Sequence, residues 1–325
     1  MTEMWIHADA LAVGLIALVY CADRFVIGAA GIARHLGVSP LIIGLTVVGF
    51  GTSAPEILVS SIAAWHGNTG LAVGNALGSN IANIGLILGV TALLTPVTVH
   101  SRTLRREIPL LLLACLAAFA LSFDGVLTRV EGVVLMAGLA GFLLWLARIA
   151  RKVPATDPLA LEIEREVPPA VSFKEAWFWF LFGLIGLVLS SRLLVWSAVA
   201  IAHHFQVSDL IIGLTIVALG TSLPELAASL ASVIKGEDDL VIGNIVGSNM
   251  FNMLAVFPMP GVIQPGPLQA AAVWRDFPWM LGFTVALLVL GNGWRRSRRI
   301  GRIGGALLVI GFCLYQYRLY LSLTA

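Results

Sequence analysis

Gly49-Phe50-Gly51-Thr52-Ser53-Ala54-Pro55-Glu56 lies inside an apolar run that extends from about Leu41 to Ala64. A carboxylate in the middle of such a run is costly in a bilayer and is read as functional by default. Proline has no N–H to give to the carbonyl four residues back, and its ring crowds that carbonyl, so a break or kink is predicted at Pro55. Gly49 and Gly51 let the backbone bend there. One turn of chain therefore offers a carboxylate, two hydroxyls and backbone carbonyls near Gly49 and Thr52. All are oxygen ligands of the kind that suits a hard cation such as Ca²⁺ or Na⁺.

The stretch occurs twice. Gly51-Thr52-Ser53-Ala54-Pro55-Glu56 returns as Gly220-Thr221-Ser222-Leu223-Pro224-Glu225. Gly74-Asn75 and Gly78-Ser79-Asn80 return as Gly243-Asn244 and Gly247-Ser248-Asn249, and Asn83 returns as Asn252. The offset is 169 throughout, and 23 of the 46 positions between 38 and 83 match their counterparts in 207–252. Identity of this length without a gap marks an internal duplication.

Around these motifs the chain is built for lipid. Of its 325 residues 58% are hydrophobic and 12% charged, against roughly a quarter charged in soluble proteins; mean hydropathy is +0.94. The apolar runs approach or exceed the ~20 residues that span a bilayer. Ten spans are read: about Ala8–Ala30, Leu41–Ala64, Leu71–Leu94, Ile108–Phe123, Gly132–Ala150, Phe173–Ile201, Leu210–Ile234, Leu240–Val262, Phe277–Gly291 and Ile303–Tyr320. The expected fold is an all-α polytopic membrane protein, with residues 1–150 and 173–325 as two five-helix repeats joined by a polar linker at 151–172. The N-terminal run is too long for a signal peptide and is read as the first span.

Five spans per half insert the halves from opposite sides. If the 151–172 linker is cytoplasmic, 15 of the 20 Lys and Arg residues fall on that side, as the positive-inside rule requires. Both termini then face outward, to the periplasm of a bacterial inner membrane. A net charge of +2 gives no basis for nucleic-acid binding. Cys21, Cys115 and Cys313 lie far apart in apolar runs, with no metal or disulfide spacing. The six histidines fall near span ends, where a solvated role is the ordinary one. The linker at 151–172 is too short to fold as a regulatory domain.

Asn75, Ser79 and Asn83 recur every four residues and form a polar stripe on one helical face, read as lining a cation site opposite Glu56. Polar contact between packed helices is the other reading. Gly74 and Gly78 beside the stripe allow a second helix to come close. Asp23 and Arg192 stand at equivalent positions of the two repeats and are candidates for an ion pair. The first and sixth spans carry glycines or serines at several turns and are candidates for a moving pair.

Inverted repeats with helices broken at mid-membrane are the architecture of secondary transporters. Glu56 and Glu225 would then face each other, and two carboxylates in a low dielectric demand protons or cations. One Ca²⁺ neutralises both, as do two or more Na⁺. Ser79, Ser248 and the carbonyls near Gly49, Thr52, Ala218 and Thr221 can complete an oxygen shell.

Gly-Thr-Ser-Ala-Pro-Glu at 51–56, Gly-Asn-Ala-Leu-Gly-Ser-Asn-Ile-Ala-Asn at 74–83 and their copies at 220–225 and 243–252 resemble the two alpha-repeats of the calcium/cation antiporter family, in its prokaryotic sodium/calcium exchanger-like branch. The likeness covers nearly the whole chain. It implies ten helices in two inverted halves and exchange of Na⁺ for Ca²⁺ at shared sites. It places the acidic ligands on Glu56 and Glu225 and the hydroxyl ligands on Thr52, Ser53, Ser79, Thr221, Ser222 and Ser248. The amide of the third span falls on Asn83. Asn252 stands where many members, and the potassium-dependent ones in particular, have Asp. The site then holds two carboxylates rather than three, which argues against potassium co-transport. The resemblance implies no enzyme activity and no cofactor; the partners are Ca²⁺, Na⁺ and the lipid bilayer, with a single chain as the working unit. The alternative is a proton-coupled antiporter of Ca²⁺ or another divalent cation, in which the same glutamates carry protons. The paired hydroxyls Thr52-Ser53 and Thr221-Ser222 favour Na⁺, because a proton needs no such cage.

Overall fold

In a computed structural model, residues 2–38, 43, 49–101, 104–150, 161–163, 171–292 and 299–324 are described. Most of the 151–172 linker, most of 39–48 and the arginines at 102, 151, 295, 296 and 298 lie outside the described residues.

The described chain is almost entirely helical. Its first half contains α1 (Thr2–His35), α2 (Gly49–Thr52), α3 (Ala54–Trp65), α4 (Thr69–Ala82), α5 (Gly89–Leu94), α6 (Leu104–Leu121) and α7 (Arg129–Ala150). The second contains α8 (Phe173–Phe205), α9 (Asp209–Ile212), α10 (Ala218–Thr221), α11 (Leu223–Lys235), α12 (Asp238–Phe251), α13 (Pro258–Ile263), α14 (Phe277–Asn292) and α15 (Arg302–Thr324). Seven helical stretches are long and apolar enough to cross a membrane, and the pair Asp209–Thr221 and Leu223–Lys235, bent by 43°, makes an eighth. Ala54–Trp65 is apolar but short of a span by itself, because the segment before it is only partly described. Large apolar side chains such as Ile16, Ile185, Val130 and Ile303 face outward, the arrangement expected where lipid replaces water.

The prolines act as predicted, with the break placed just ahead of them. Pro55 and Pro224 sit in the first turn of α3 and α11, where a missing N–H costs nothing. The interruptions fall at Ser53 and Ser222, each between two helical pieces.

α4 and α12 form the centre. Each is α-helical up to an asparagine and then widens into a π-helical stretch, Asn83–Leu88 after α4 and Asn252–Val256 after α12. A π-turn shifts the register of the side chains that follow it, and such turns gather at functional sites. The close approach anticipated from glycine is present at α4. A Cβ on Gly78 would sit 2.7 Å from Ala218 Cβ, and one on Gly213 would sit 2.6 Å from the Leu71 carbonyl.

α1 and α8 pack chiefly on each other. A Cβ on Gly28 would strike the Phe180 backbone, and one on Gly183 the Phe25 backbone. Both helices are longer than the sequence spans, because α1 runs on through Arg34 and His35 and α8 through His203 and His204. The Asp23–Arg192 pair does not form. Asp23 pairs with its neighbour Arg24 at 3.7 Å, and the Arg24 guanidinium lies over the Tyr20 and Trp179 rings. A guanidinium on an aromatic face stays charged while its stem remains in apolar surroundings.

Two short antiparallel ribbons join the halves, β1 (Val97–Thr98) with β4 (Arg299–Ile300) and β2 (Val126–Leu127) with β3 (Gly266–Pro267). The loops sort into two sets. Thr98 N donates to Asp238 Oδ2 at 2.9 Å, Leu240 N to Glu162 Oε2 at 2.7 Å, and the His35 ring contacts the Val171 carbonyl at 3.0 Å. The other set holds Arg129 Nε donating to the Val262 carbonyl at 3.1 Å and Arg275 Nη1 donating to Ser322 Oγ at 3.0 Å.

Candidate cation site

The helix breaks carry the site. Ser53, Glu56, Ser79 and Asn83 of the first repeat are buried, as are Thr221, Ser222, Glu225, Ser248 and Asn252 of the second. Glu56 and Glu225 each sit in the first turn after a break, α3 and α11 respectively. The partial positive charge of a helix N-terminus is there to meet a carboxylate. The two carboxylates are close enough to repel each other.

The threonines cross over. Thr52 of the first repeat lies against the Glu225 carboxylate, and Thr221 of the second against that of Glu56. Thr52 Oγ1 is 3.5 Å from Ser248 Oγ, which donates to Glu225 Oε1 at 2.9 Å. Thr221 turns its proton to Asn75 Oδ1 at 3.0 Å, leaving both Glu56 oxygens without a hydrogen-bond partner among the described residues. Glu225 Oε2, Asn83 Oδ1, both amide atoms of Asn252 and the hydroxyls of Ser53, Ser79 and Ser222 are likewise buried and without partners.

Buried polar atoms are ordinarily satisfied, and each orphan costs about 1–3 kcal/mol. This constellation leaves oxygens from both repeats unsatisfied together. Asp276 supplies the contrast within the same chain. It is as deeply buried, but Arg275 binds both its oxygens, at 2.7 and 3.1 Å, and Tyr315 donates to it at 3.1 Å. That carboxylate is part of the scaffold. Among the described residues, Glu56 and Glu225 have no cation of the protein beside them, and no cluster of three or more His, Cys, Asp or Glu forms a metal site. The donor set is two carboxylates with neutral oxygens, which fits a hard cation.

Not every residue of the predicted stripe faces this set. Asn75 donates to the Glu56 carbonyl at 3.2 Å and to Ser60 Oγ at 2.9 Å. Asn244 makes the equivalent bonds, to the Glu225 carbonyl at 3.3 Å and to Ser229 Oγ at 3.4 Å. These two asparagines hold the glutamate-bearing helices in place, so this part of the stripe is helix-to-helix contact. The Ala218 carbonyl, proposed as a ligand from the sequence, accepts from Ser222 N at 3.1 Å and from Thr221 Oγ1 at 3.3 Å. Gly49 is the first described residue of α2, ahead of the first break. Ser60, Ser229, Asn80 and Asn249 were not among the candidates. Their signal was present, since each is a polar residue in an apolar run and is repeated at the 169 offset.

Comparison with known proteins agrees with the geometry. The family model described as sodium/calcium exchanger protein matches twice, over residues 8–148 and 175–321. The CaxA protein of Alkalimonas amylolytica is 51% identical over 310 residues, 95% of this chain and 97% of its own length. The inner membrane protein YrbG of Escherichia coli is 44% identical over 95% of each chain. The structure of the sodium-calcium exchanger NCX_Mj, soaked with Na⁺ and Ca²⁺, superposes with a TM-score of 0.65 at 32% identity, covering 95% of this chain and 97% of that one. With two copies of the motif, two buried glutamates and a family match in each half, the chain belongs to the sodium/calcium exchanger family, in its prokaryotic branch, and is a multi-pass membrane antiporter.

Proposed function

We propose that this chain exchanges Na⁺ for Ca²⁺ across the membrane by alternating access, at one site built on Glu56 and Glu225. The observation that carries the reading is the set of buried, unpartnered oxygens drawn from both repeats around two carboxylates. A bare carboxylate in such surroundings is too costly to cross the bilayer. Several Na⁺ ions bound from one side neutralise the pair and let the site close. Their release leaves Glu56 and Glu225 charged, and Ca²⁺ must bind before the return. Exchange is obligatory because the empty site crosses badly. Thr52, Ser53, Ser79, Thr221, Ser222, Ser248, Asn83 and Asn252 supply neutral oxygens, with the Gly49 and Ala218 carbonyls at the breaks. Ala218 joins only by sharing or giving up its present hydrogen bonds.

Ten crossings in two inverted halves underlie this mechanism. The sorting of loops supports the topology, because contacts such as Thr98 with Asp238 and Arg129 with Val262 each join loops assigned to one side. The charge bias places the linker in the cytoplasm and both termini outside. α1 and α8, packed on each other through glycine contacts, are the pair that slides across the site. Exchangers of Na⁺ and Ca²⁺ among its relatives, MaX1 of Methanosarcina acetivorans at 28% identity and NCX_Mj, carry the same assignment in their names.

The experiment is Ca²⁺ uptake into Na⁺-loaded proteoliposomes. Uptake is expected to stop when the Na⁺ gradient is collapsed and to ignore an imposed pH gradient. Uptake that follows the pH gradient alone makes this a proton-coupled antiporter acting through the same glutamates.

A further inference from the structure

Where α4 and α12 cross, the bonds are reciprocal. Asn80 Nδ2 donates to the Asn249 carbonyl at 3.3 Å, and Asn249 Nδ2 donates to the Asn80 carbonyl at 3.4 Å. Both residues are fully buried. A backbone carbonyl only accepts, so each asparagine must turn its NH₂ to it. That fixes the other end of each amide. Asn249 Oδ1 faces Asn83, and an acceptor there demands a donor in return. Asn83 Nδ2 supplies it at 2.9 Å. The remaining atom of Asn83, its Oδ1, is the one left buried and without a partner.

We infer that Asn249 is a positioning residue for the cation site: through a hydrogen-bond relay from the Asn80 carbonyl it forces the Asn83 amide to present oxygen, and never nitrogen, to the ion. An unconstrained amide in a buried site could turn either way. With NH₂ aimed inward it would repel a cation. The relay closes that option at no cost in charge. By the repeat, Asn80 stands to Asn252 as Asn249 stands to Asn83, but Asn80 Oδ1 and both amide atoms of Asn252 are without partners among the described residues. The relay is made on one side of the pseudo-symmetric pair and open on the other.

The inference rests on Asn83 being a ligand, and the test separates the two. Half-saturation for Ca²⁺ is measured by Na⁺-driven uptake of radioactive calcium in Asn83→Ala, Asn249→Ala and the double variant. Asn83→Ala is expected to raise it about tenfold, the scale of one lost interaction with a charged ligand. Asn249→Ala raises it nearly as far. In the Asn83→Ala background it adds less than about twofold, because there is no amide left to orient. An unchanged half-saturation in Asn83→Ala removes that residue from the site and the relay with it. A normal ligand effect of Asn83→Ala with an additive effect of Asn249→Ala overturns the relay alone and makes Asn249 merely structural. Asn249→Leu, which has the shape of the amide but neither of its polar atoms, covers the case in which the alanine variant does not fold. It is expected to raise half-saturation as far as Asn249→Ala, and in the Asn83→Ala background to add less than about twofold. If Asn249→Leu folds and leaves half-saturation within about twofold of the unaltered protein, the relay is overturned.

Discussion

The two repeats share half their residues in the core motif, but the hydrogen bonds of their carboxylates differ. Glu225 accepts a hydrogen bond from Ser248 at 2.9 Å, whereas neither oxygen of Glu56 has a partner among the described residues. Ser79, the counterpart of Ser248, has a free hydroxyl. The Asn83 amide is latched to Asn249 while that of Asn252 is unlatched. Identical chemistry is therefore held in two arrangements at once. In the proposed alternating-access cycle a duplicated site needs both arrangements within reach, and the hydroxyl and amide groups supply them without moving a charge.

The sharpest break of this comparison is at its centre. Glu56→Gln and Glu225→Gln keep the side-chain size but remove the charge that, in the proposed exchange, Na⁺ and Ca²⁺ neutralise. Each is expected to lower coupled flux by about a hundredfold or more, in line with losing a charged ligand in a low-dielectric site. Size-exclusion profiles in detergent should be unchanged. Full activity in either variant would remove that glutamate from the transport cycle.

The serines come next. Ser248→Ala removes the proton donor that Glu225 uses, while Ser79→Ala removes a hydroxyl that engages nothing among the described residues. A hydrogen bond to a charged group contributes about 1.5–3 kcal/mol. Ser248→Ala should therefore shift ion half-saturation roughly tenfold, and more than Ser79→Ala does. Equal effects would mean that the asymmetry is exchanged during the cycle faster than transport, and that both serines serve both states.

Asn252→Asp sharpens the amide difference. It adds a third carboxylate to a buried site with two. The new acid needs a proton or another cation. Flux is expected to gain a dependence on pH or on K⁺ that the unaltered chain lacks, read from transport series across both. The effect on maximal rate should be smaller than that of either Gln variant.

Packing at α4 gives a smaller effect. A Cβ at Gly78 would meet Ala218 Cβ at 2.7 Å and Leu214 at 2.8 Å. Overpacking costs about 1–3 kcal/mol. Gly78→Ala should lower the thermal midpoint by several degrees.

Most of the chemistry was legible in the sequence and less of the geometry. Glu56, Glu225 and the hydroxyls beside them stand out because a carboxylate and a proline inside an apolar run, present twice, have few structural uses. Hydropathy gives ten spans, of which seven helices and one bent pair meet the length and composition of a crossing among the described residues. Helix α6 starts at Leu104, before the apolar residues begin, and carries Arg106 and Glu107 in its first turn. Asn75 bonds the Glu56 carbonyl, Ser60 and Thr221, contacts its spacing does not reveal, because four-residue spacing says which residues share a helical face but not what that face meets. The Asn80–Asn249 clasp depends on the crossing point of α4 and α12, and no local pattern encodes that point. Asp23 was matched with Arg192 by symmetry, but the nearer cation, Arg24, and the Trp179 ring decided the contact.

The smallest expected effect lies at the linker end of the comparison. α12 is capped from a distance, because Glu162 of the linker accepts from Leu240 N at 2.7 Å, while Asn68 ahead of α4 makes no side-chain cap. Ile163 is buried in the core beside it. Burial, first of all, pushes the Glu162 carboxyl up to about 7, the charges of Asp239, Glu237 and Asp238 add to this, and the Leu240 N–H opposes it. A carboxyl raised on docking favours the docked linker when protonated. The contact is thus strongest below the ordinary value of 4.5 and is lost as pH rises through about 7. Glu162 is half-exposed, so solvent screening keeps the change below about 1 kcal/mol. A spin label at the exposed Leu161 should become more mobile between about pH 6 and about 8, and Glu162→Gln should hold that label at its low-pH mobility throughout. Mobility that falls with rising pH would mean that the charged carboxylate, attracted to the N-terminus of α12, is the docked form.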